Sequence, residues 1–129
     1  MQMYSEKVME HFKSPHNMGE IKDADGIGKV GNTMCGDLMW IYIKVKKQNG
    51  KEFLEDIKVK TFGCVAAISS SDVLCDMVKG KELNEALKVK NSDIVKQLGD
   101  LPREKVHCSV LAAQGLKNAV EDYRKKITS

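Results

Sequence analysis

The sequence predicts an α+β fold, an antiparallel sheet of about three strands with helices packed on one face. Three observations predict it. Period-2 alternation of apolar residues fills two segments on either side of Asn49-Gly50, helical spacing takes over in the second half, and no repeat, low-complexity tract or linker interrupts the chain. We expect residues 1–129 to form a single domain, long enough to bury a core without a metal or disulfide staple.

Each element follows from local spacing. Tyr4, Val8, Met9 and Phe12 recur at helical intervals and Ser14-Pro15 stops them, which predicts a short amphipathic helix over residues 5–13. Residues 16–34 carry Gly19, Gly26, Gly28 and Gly31 and predict a mostly irregular, mobile stretch with room for an edge strand at Ile27 to Val30. From Leu38 onward, Met39, Ile41, Ile43 and Val45 share one face of a strand, and Leu38, Trp40, Tyr42 and Lys44 share the other. Beyond the Asn49-Gly50 turn, Ile57, Val59 and Thr61 alternate with Asp56, Lys58 and Lys60, completing a hairpin that brings Asp37 and Cys64 to one end of the sheet.

Ala67, Ser71, Leu74 and Val78 then mark a helix that opens at Cys64 and stops at Lys79-Gly80. Residues 82–98 predict two shorter helices, the second capped by Asn91 or Ser92, before Gly99-Asp100-Leu101-Pro102 breaks the chain. The last helix carries the stripe Ala113, Leu116, Val120, Tyr123 and Ile127, with Arg124, Lys125 and Lys126 complementing its C-terminal dipole and Cys108 near its start.

Composition excludes several function classes. Lys and Arg number 21 against 18 Asp and Glu, a net charge of +3 with the two signs interleaved, so no nucleic-acid partner is expected. The longest apolar runs, residues 38–43 and 64–68, fall far short of the ~20 residues that cross a bilayer, and the N-terminus lacks a charged segment followed by an apolar one. We therefore expect no membrane association and a cytoplasmic location. No phosphate loop, Ser-His-Asp arrangement or carboxylate pair points to catalysis, so the chain is not expected to be an enzyme in the strict sense.

The chemistry lies with the cysteines. Cys35, Cys64, Cys75 and Cys108 are separated by 29, 11 and 33 residues, so there is no C-x-x-C pair, and a disulfide framework does not suit a cytoplasmic chain. Cys75 falls inside a helix beside its apolar stripe and reads as a core thiol. The other three lie in loops or at element junctions beside glycine or a polar ligand type. Cys64 and Cys108 at helix N-termini would feel the positive end of the dipole, which lowers a thiol pKa and favours the metal-binding thiolate. Asp37 and His107 stand next to these cysteines, so three thiolates, one carboxylate and one imidazole exceed the four ligands that zinc, iron or an iron-sulfur cluster needs. Three cysteines with an exchangeable Asp or His leave one position labile, which suits transfer, and thiolate softness selects zinc, copper(I) or iron-sulfur clusters over magnesium or calcium.

Taken together, Ser14-Pro15-His16-Asn17-Met18-Gly19, Cys35-Gly36-Asp37, Phe62-Gly63-Cys64, Val78-Lys79-Gly80-Lys81 and Lys105-Val106-His107-Cys108-Ser109 resemble the IscU-type iron-sulfur cluster assembly scaffolds. These share their domain with the N-terminal part of NifU and the SufE/NifU-like fold. The resemblance implies a scaffold on which a [2Fe-2S] cluster is built from iron and from persulfide sulfur, then passed to apo iron-sulfur acceptor proteins. It implies as partners a cysteine desulfurase of the IscS/NifS type and an electron donor such as a ferredoxin. By matching position, Cys35, Cys64 and Cys108 would be thiolate ligands, Asp37 or His107 the fourth, Lys105 a neighbour that tunes the site, and Cys108 the sulfur acceptor. Zinc is a further metal such scaffolds carry when isolated.

Departures from the family pattern are local. Arg103-Glu104 replaces the L-P-P-V-K pattern of members served by a dedicated heat-shock-type chaperone, which makes that chaperone a doubtful partner. Only 44 residues separate Cys64 from Cys108 and 21 follow it, so neither the SufU-type insertion nor the additional NifU domains are expected. Two other readings compete: a structural zinc module on the same ligands, and a sulfur carrier relying on Cys108 alone.

Overall fold

Asn49 and Gly50 adopt φ of 54° and 76°, left-handed geometry that an Asn-Gly pair takes at little cost, and they reverse the chain between two twelve-residue strands. In the computed structural model, which describes residues 4–32 and 36–128, β1 (Gly26–Asn32), β2 (Asp37–Gln48) and β3 (Lys51–Phe62) form an antiparallel sheet in the order β1-β2-β3. Met39, Ile41 and Ile43 are buried on its inner face, as the alternation predicts, together with Ile57 and Val59 from β3. Leu54 joins them although it stands three residues before Ile57. A bulge between Lys44 and Val45 pairs Lys44 with Asp56 but Val45 with Leu54, so Glu55 is the extra residue that returns Leu54 to the core. Beside β3, Val59 N donates to Asn17 O and Gly19 N to Val59 O, both at 2.8 Å, extending the pairing past the sheet edge.

The helices are α1 (Glu6–Lys13), α2 (Val65–Val78), α3 (Leu83–Ala86), α4 (Asn91–Gln97) and α5 (Val106–Thr128), with a 3-10 turn at Arg103–Lys105. Ser5 caps α1, accepting from Val8 N at 3.1 Å. In α1 only Val8 is fully buried. Phe12 is exposed, and His11 takes the inward position because α2 presents Asp72 to it. Lys90, rather than Asn91 or Ser92, precedes the first turn of α4, and its N–H donates to Asp93 Oδ2 at 2.9 Å.

α2 sits between α1, α5 and β3, and most of its residues are buried, serines included. Ser69 satisfies itself on Val8 O and Ser71 on Ala67 O, and Cys75 is the core thiol expected, pushed well above the ordinary thiol range by burial. α5 crosses β1 and β2 on the same face of the sheet. Its buried stripe runs Cys108, Ala112, Leu116, Ala119, Val120 and Tyr123, while Ile127 is exposed and Ala113 half-buried.

Small residues explain that shift of stripe. A Cβ at Gly26 would stand 2.3 Å from Ala119 O, and one at Gly28 would stand 2.2 Å from Gly115 O, so β1 and α5 meet backbone to backbone. Of the glycines expected to confer mobility, Gly26 and Gly28 are thus packing positions in a strand. One hydrophobic cluster, drawn from β2 and β3 and from α1, α2, α3, α4 and α5, with Val30 of β1 packed against it, fills the interior. Among the described residues no helix is long and apolar enough to cross a membrane.

Candidate metal centre

β2 begins at Asp37, β3 ends at Phe62, and Leu38 pairs with Phe62, so the hairpin brings Asp37 beside the Gly63-Cys64 exit. Cys64 caps the N-terminus of α2 in extended conformation, and Cys108 lies in the first turn of α5. The two sulfurs approach to 3.6 Å as free thiols. Cys108 Sγ points its hydrogen at Asp37 Oδ2, 3.7 Å away, and stands 3.6 Å from His107 Nε2. His107 Nε2 is itself 3.7 Å from Asp37 Oδ2. Donor atoms of Asp37, His107 and Cys108 all lie within 4.8 Å of one another.

Five of the six residues expected at the site are therefore brought to one end of the molecule. The sixth, Cys35, lies outside the described residues, two positions before Asp37 in the chain. Asp37 and Cys108 are buried, Cys64 half-buried, and His107 keeps about a quarter of its side chain in solvent, so the site opens through His107 and Cys64. Lys105, on the 3-10 turn, is held above its ordinary pKa chiefly by Cys64.

Electrostatics reverse the dipole expectation at Cys108. Burial, then the neighbouring Cys64 and the Asp37 carboxylate, push this thiol far above the ordinary range, so it is protonated without metal. Ligation by Cys108 must then expel a proton. Soft sulfur beside a carboxylate and an imidazole fits iron, zinc or an iron-sulfur cluster and does not fit magnesium or calcium.

Two participants were not read from the sequence. Tyr4 belongs to no helix; its phenol is raised by burial and by Cys64, which places it by the thiols. Ser5 as the cap of α1 was the signal that Tyr4 precedes the helix. At Gly63, an added Cβ would sit 2.8 Å from Asp37 Oδ1 and 2.9 Å from Ala67 Cβ, so only glycine leaves room for the carboxylate.

Comparison with known proteins gives a consistent picture. The family model for the NifU-like N terminal domain matches residues 3–129. The iron-sulfur cluster assembly scaffold protein IscU 1 of Archaeoglobus fulgidus is 53% identical over 124 residues, covering 96% of this chain and 78% of its own. IscU of Escherichia coli K12 is 45% identical over 126 residues, 95% of each chain. The nitrogen fixation protein NifU of Azotobacter chroococcum is 48% identical over 121 residues, 94% of this chain but 38% of its own length. Among solved structures, the N-terminal NifU-like protein of Brucella abortus superposes with a TM-score of 0.70 at 17% identity, covering 96% of both chains, a likeness of fold.

Proposed function

The chain belongs to the NifU-like N-terminal domain family, and from that premise we propose that residues 1–129 act as one iron-sulfur cluster assembly scaffold that builds a transient [2Fe-2S] cluster and passes it to apo-proteins. The observation that carries this reading is the convergence of Cys64, Cys108, Asp37 and His107 at one end of the sheet, with Cys35 two residues from Asp37 in sequence. Cys35, Cys64 and Cys108 hold the cluster as cargo, with Asp37 as the fourth ligand and His107 as its alternate. A hard carboxylate oxygen among soft thiolates is the weakest link to iron, which makes the cluster exchangeable.

Sulfur arrives from a cysteine desulfurase. Once the Cys108 thiol has given up its proton, its sulfur attacks the outer sulfur of the partner's cysteine persulfide; that S–S bond breaks, the partner's sulfur leaves with the electron pair and takes up a proton from solvent, and Cys108 carries the persulfide. Two electrons from a ferredoxin-type donor then release sulfide to iron and restore the thiolate. Because Cys108 is buried, the partner must open the turn at Lys105–Cys108 to reach it. Free thiols as working ligands suit a reducing compartment, the cytoplasm. With Arg103-Glu104 exposed in the preceding turn, no dedicated chaperone is assigned.

The test is anaerobic reconstitution with ferrous iron, a cysteine desulfurase, cysteine and a reductant, followed by visible absorption and circular dichroism. Charge-transfer bands are expected in the natural chain and absent from Cys35→Ala. A colourless protein carrying persulfide on Cys108 equally in both forms would replace the scaffold by a sulfur carrier.

A further inference from the structure

Asp72 stands in the middle of α2 with its side chain 0% exposed, a place where a carboxylate is costly unless every lone pair is used. One oxygen is saturated: Oδ1 accepts from His16 N at 2.9 Å, Asn17 N at 2.8 Å and Asn17 Nδ2 at 3.1 Å. The other, Oδ2, faces His11 Nδ1 at 2.6 Å. One helical turn later, Asp76 repeats the arrangement. Its Oδ1 accepts from Asn17 Nδ2 at 2.8 Å, and its Oδ2 lies 3.1 Å from His16 Nδ1 and 4.0 Å from His11 Nδ1. Asn17 thus grips both carboxylates by one oxygen and turns the other of each toward the two imidazoles.

The geometry points to a second metal site, built from His11, His16, Asp72 and Asp76, that takes a borderline divalent cation such as zinc independently of the thiolate centre. One ligand atom from each of the four residues lies within 4.8 Å of every other. A tetrahedral zinc with bonds of about 2.0–2.2 Å holds its donors roughly 3.3–3.6 Å apart, so small side-chain adjustments close the shell. Two imidazoles and two carboxylates suit zinc, and the charge of the ion balances the two carboxylates. Asn17 acts as the outer partner that orients ligating carboxylates. His16 is 66% and Asp76 39% exposed, and grooves lined by His11 and His16 on one side and by His11 and Asp76 on the other give an ion its path.

None of these residues belongs to the thiolate centre. They join α1 and the turn at residues 14–17 to α2, so the bound ion would pin the N-terminal helix, and zinc found in the isolated protein would not by itself report on the cysteines.

The experiment titrates the chelator-treated chain with zinc sulfate by calorimetry, in the natural form, in Cys35→Ser/Cys64→Ser/Cys108→Ser, and in each with His16→Ala added. The triple-serine chain, which keeps only the buried Cys75 thiol, is expected to bind one zinc, and His16→Ala to weaken that binding at least about tenfold, since even outer partners of a ligand are worth that much. Cobalt(II) in the triple-serine chain should give visible d–d bands without sulfur charge transfer. His16 is largely exposed, so its variant should fold, and far-ultraviolet circular dichroism checks this. Should the triple-serine chain not fold, the natural chain decides: zinc stoichiometry should fall by one with His16→Ala. Absence of micromolar zinc binding in the folded triple-serine chain, or binding and stoichiometry indifferent to His16→Ala, overturns the site and leaves the His–Asp pairs as hydrogen bonds only.

Discussion

Gly63 shows how little separates the site from an ordinary strand end. Its hydrogen faces the carboxylate of Asp37, and Gly63→Ala would push a methyl to 2.8 Å from Oδ1. We predict a stability cost of about 1–3 kcal/mol, as for other overpacked positions, and a slower cluster transfer because Asp37 is displaced from Cys108. Urea unfolding and single-turnover transfer measure the two effects; an unchanged transfer rate would detach Asp37 from the site. The proposed ligands are legible in the sequence because their chemistry is carried by residue type: Cys64, Cys108, Asp37 and His107 are donors wherever they stand. Gly63 and Tyr4 were not legible as site residues, since one acts by lacking an atom and the other by proximity that only the folded chain creates. Cys108 departs from the dipole expectation because dipole position is visible in sequence while burial and the approach of Cys64 are not.

At the scale of elements, the contact between β1 and α5 sets the thickness of the fold. Gly28→Ala would place its methyl 2.2 Å from Gly115 O, a backbone atom unable to rotate away, and is predicted to destabilise by about 1–3 kcal/mol or more in urea unfolding. A neutral effect would mean that β1 does not lie on α5. Further along α5, Tyr123 donates to Glu52 of β3, and burial, with that bond and charge, pushes its phenol up to about 12. Below pH about 10 both folded and unfolded chains keep the phenolic proton; between 10 and 12 the unfolded chain has released it and the folded chain has not. Stability contributed by Tyr123 therefore declines as pH rises through that window, and the advantage over Tyr123→Phe should shrink. A gap constant from pH 9 to 12 would refute the assignment. The hairpin was legible from Asn49-Gly50 and alternation, but Leu54 was not, because the bulge at Glu55 breaks the period that reveals a strand face. The sequence offers β1 only as room for an edge strand at Ile27 to Val30, for a related reason: glycines carry no apolar signal, and their partners Gly115 and Ala119 lie far off in sequence.

For the whole molecule, stability resides in the shared core of sheet and helices rather than in any metal. Treatment with a chelator is accordingly predicted to leave a cooperative thermal transition and helical circular dichroism; collapse to an unfolded chain would instead indicate structural zinc. In the proposed function this stable frame carries a mixed sulfur and oxygen site from which a cluster is handed on. The most direct measurement is a single-turnover transfer of a reconstituted cluster to an apo-ferredoxin, comparing the natural chain with Asp37→Ala. The account predicts that the natural chain hands over its cluster while Asp37→Ala assembles one and transfers it at least about tenfold more slowly, because the exchangeable oxygen ligand is gone. Equal transfer rates from both, or a cluster that never leaves the natural chain, would contradict it.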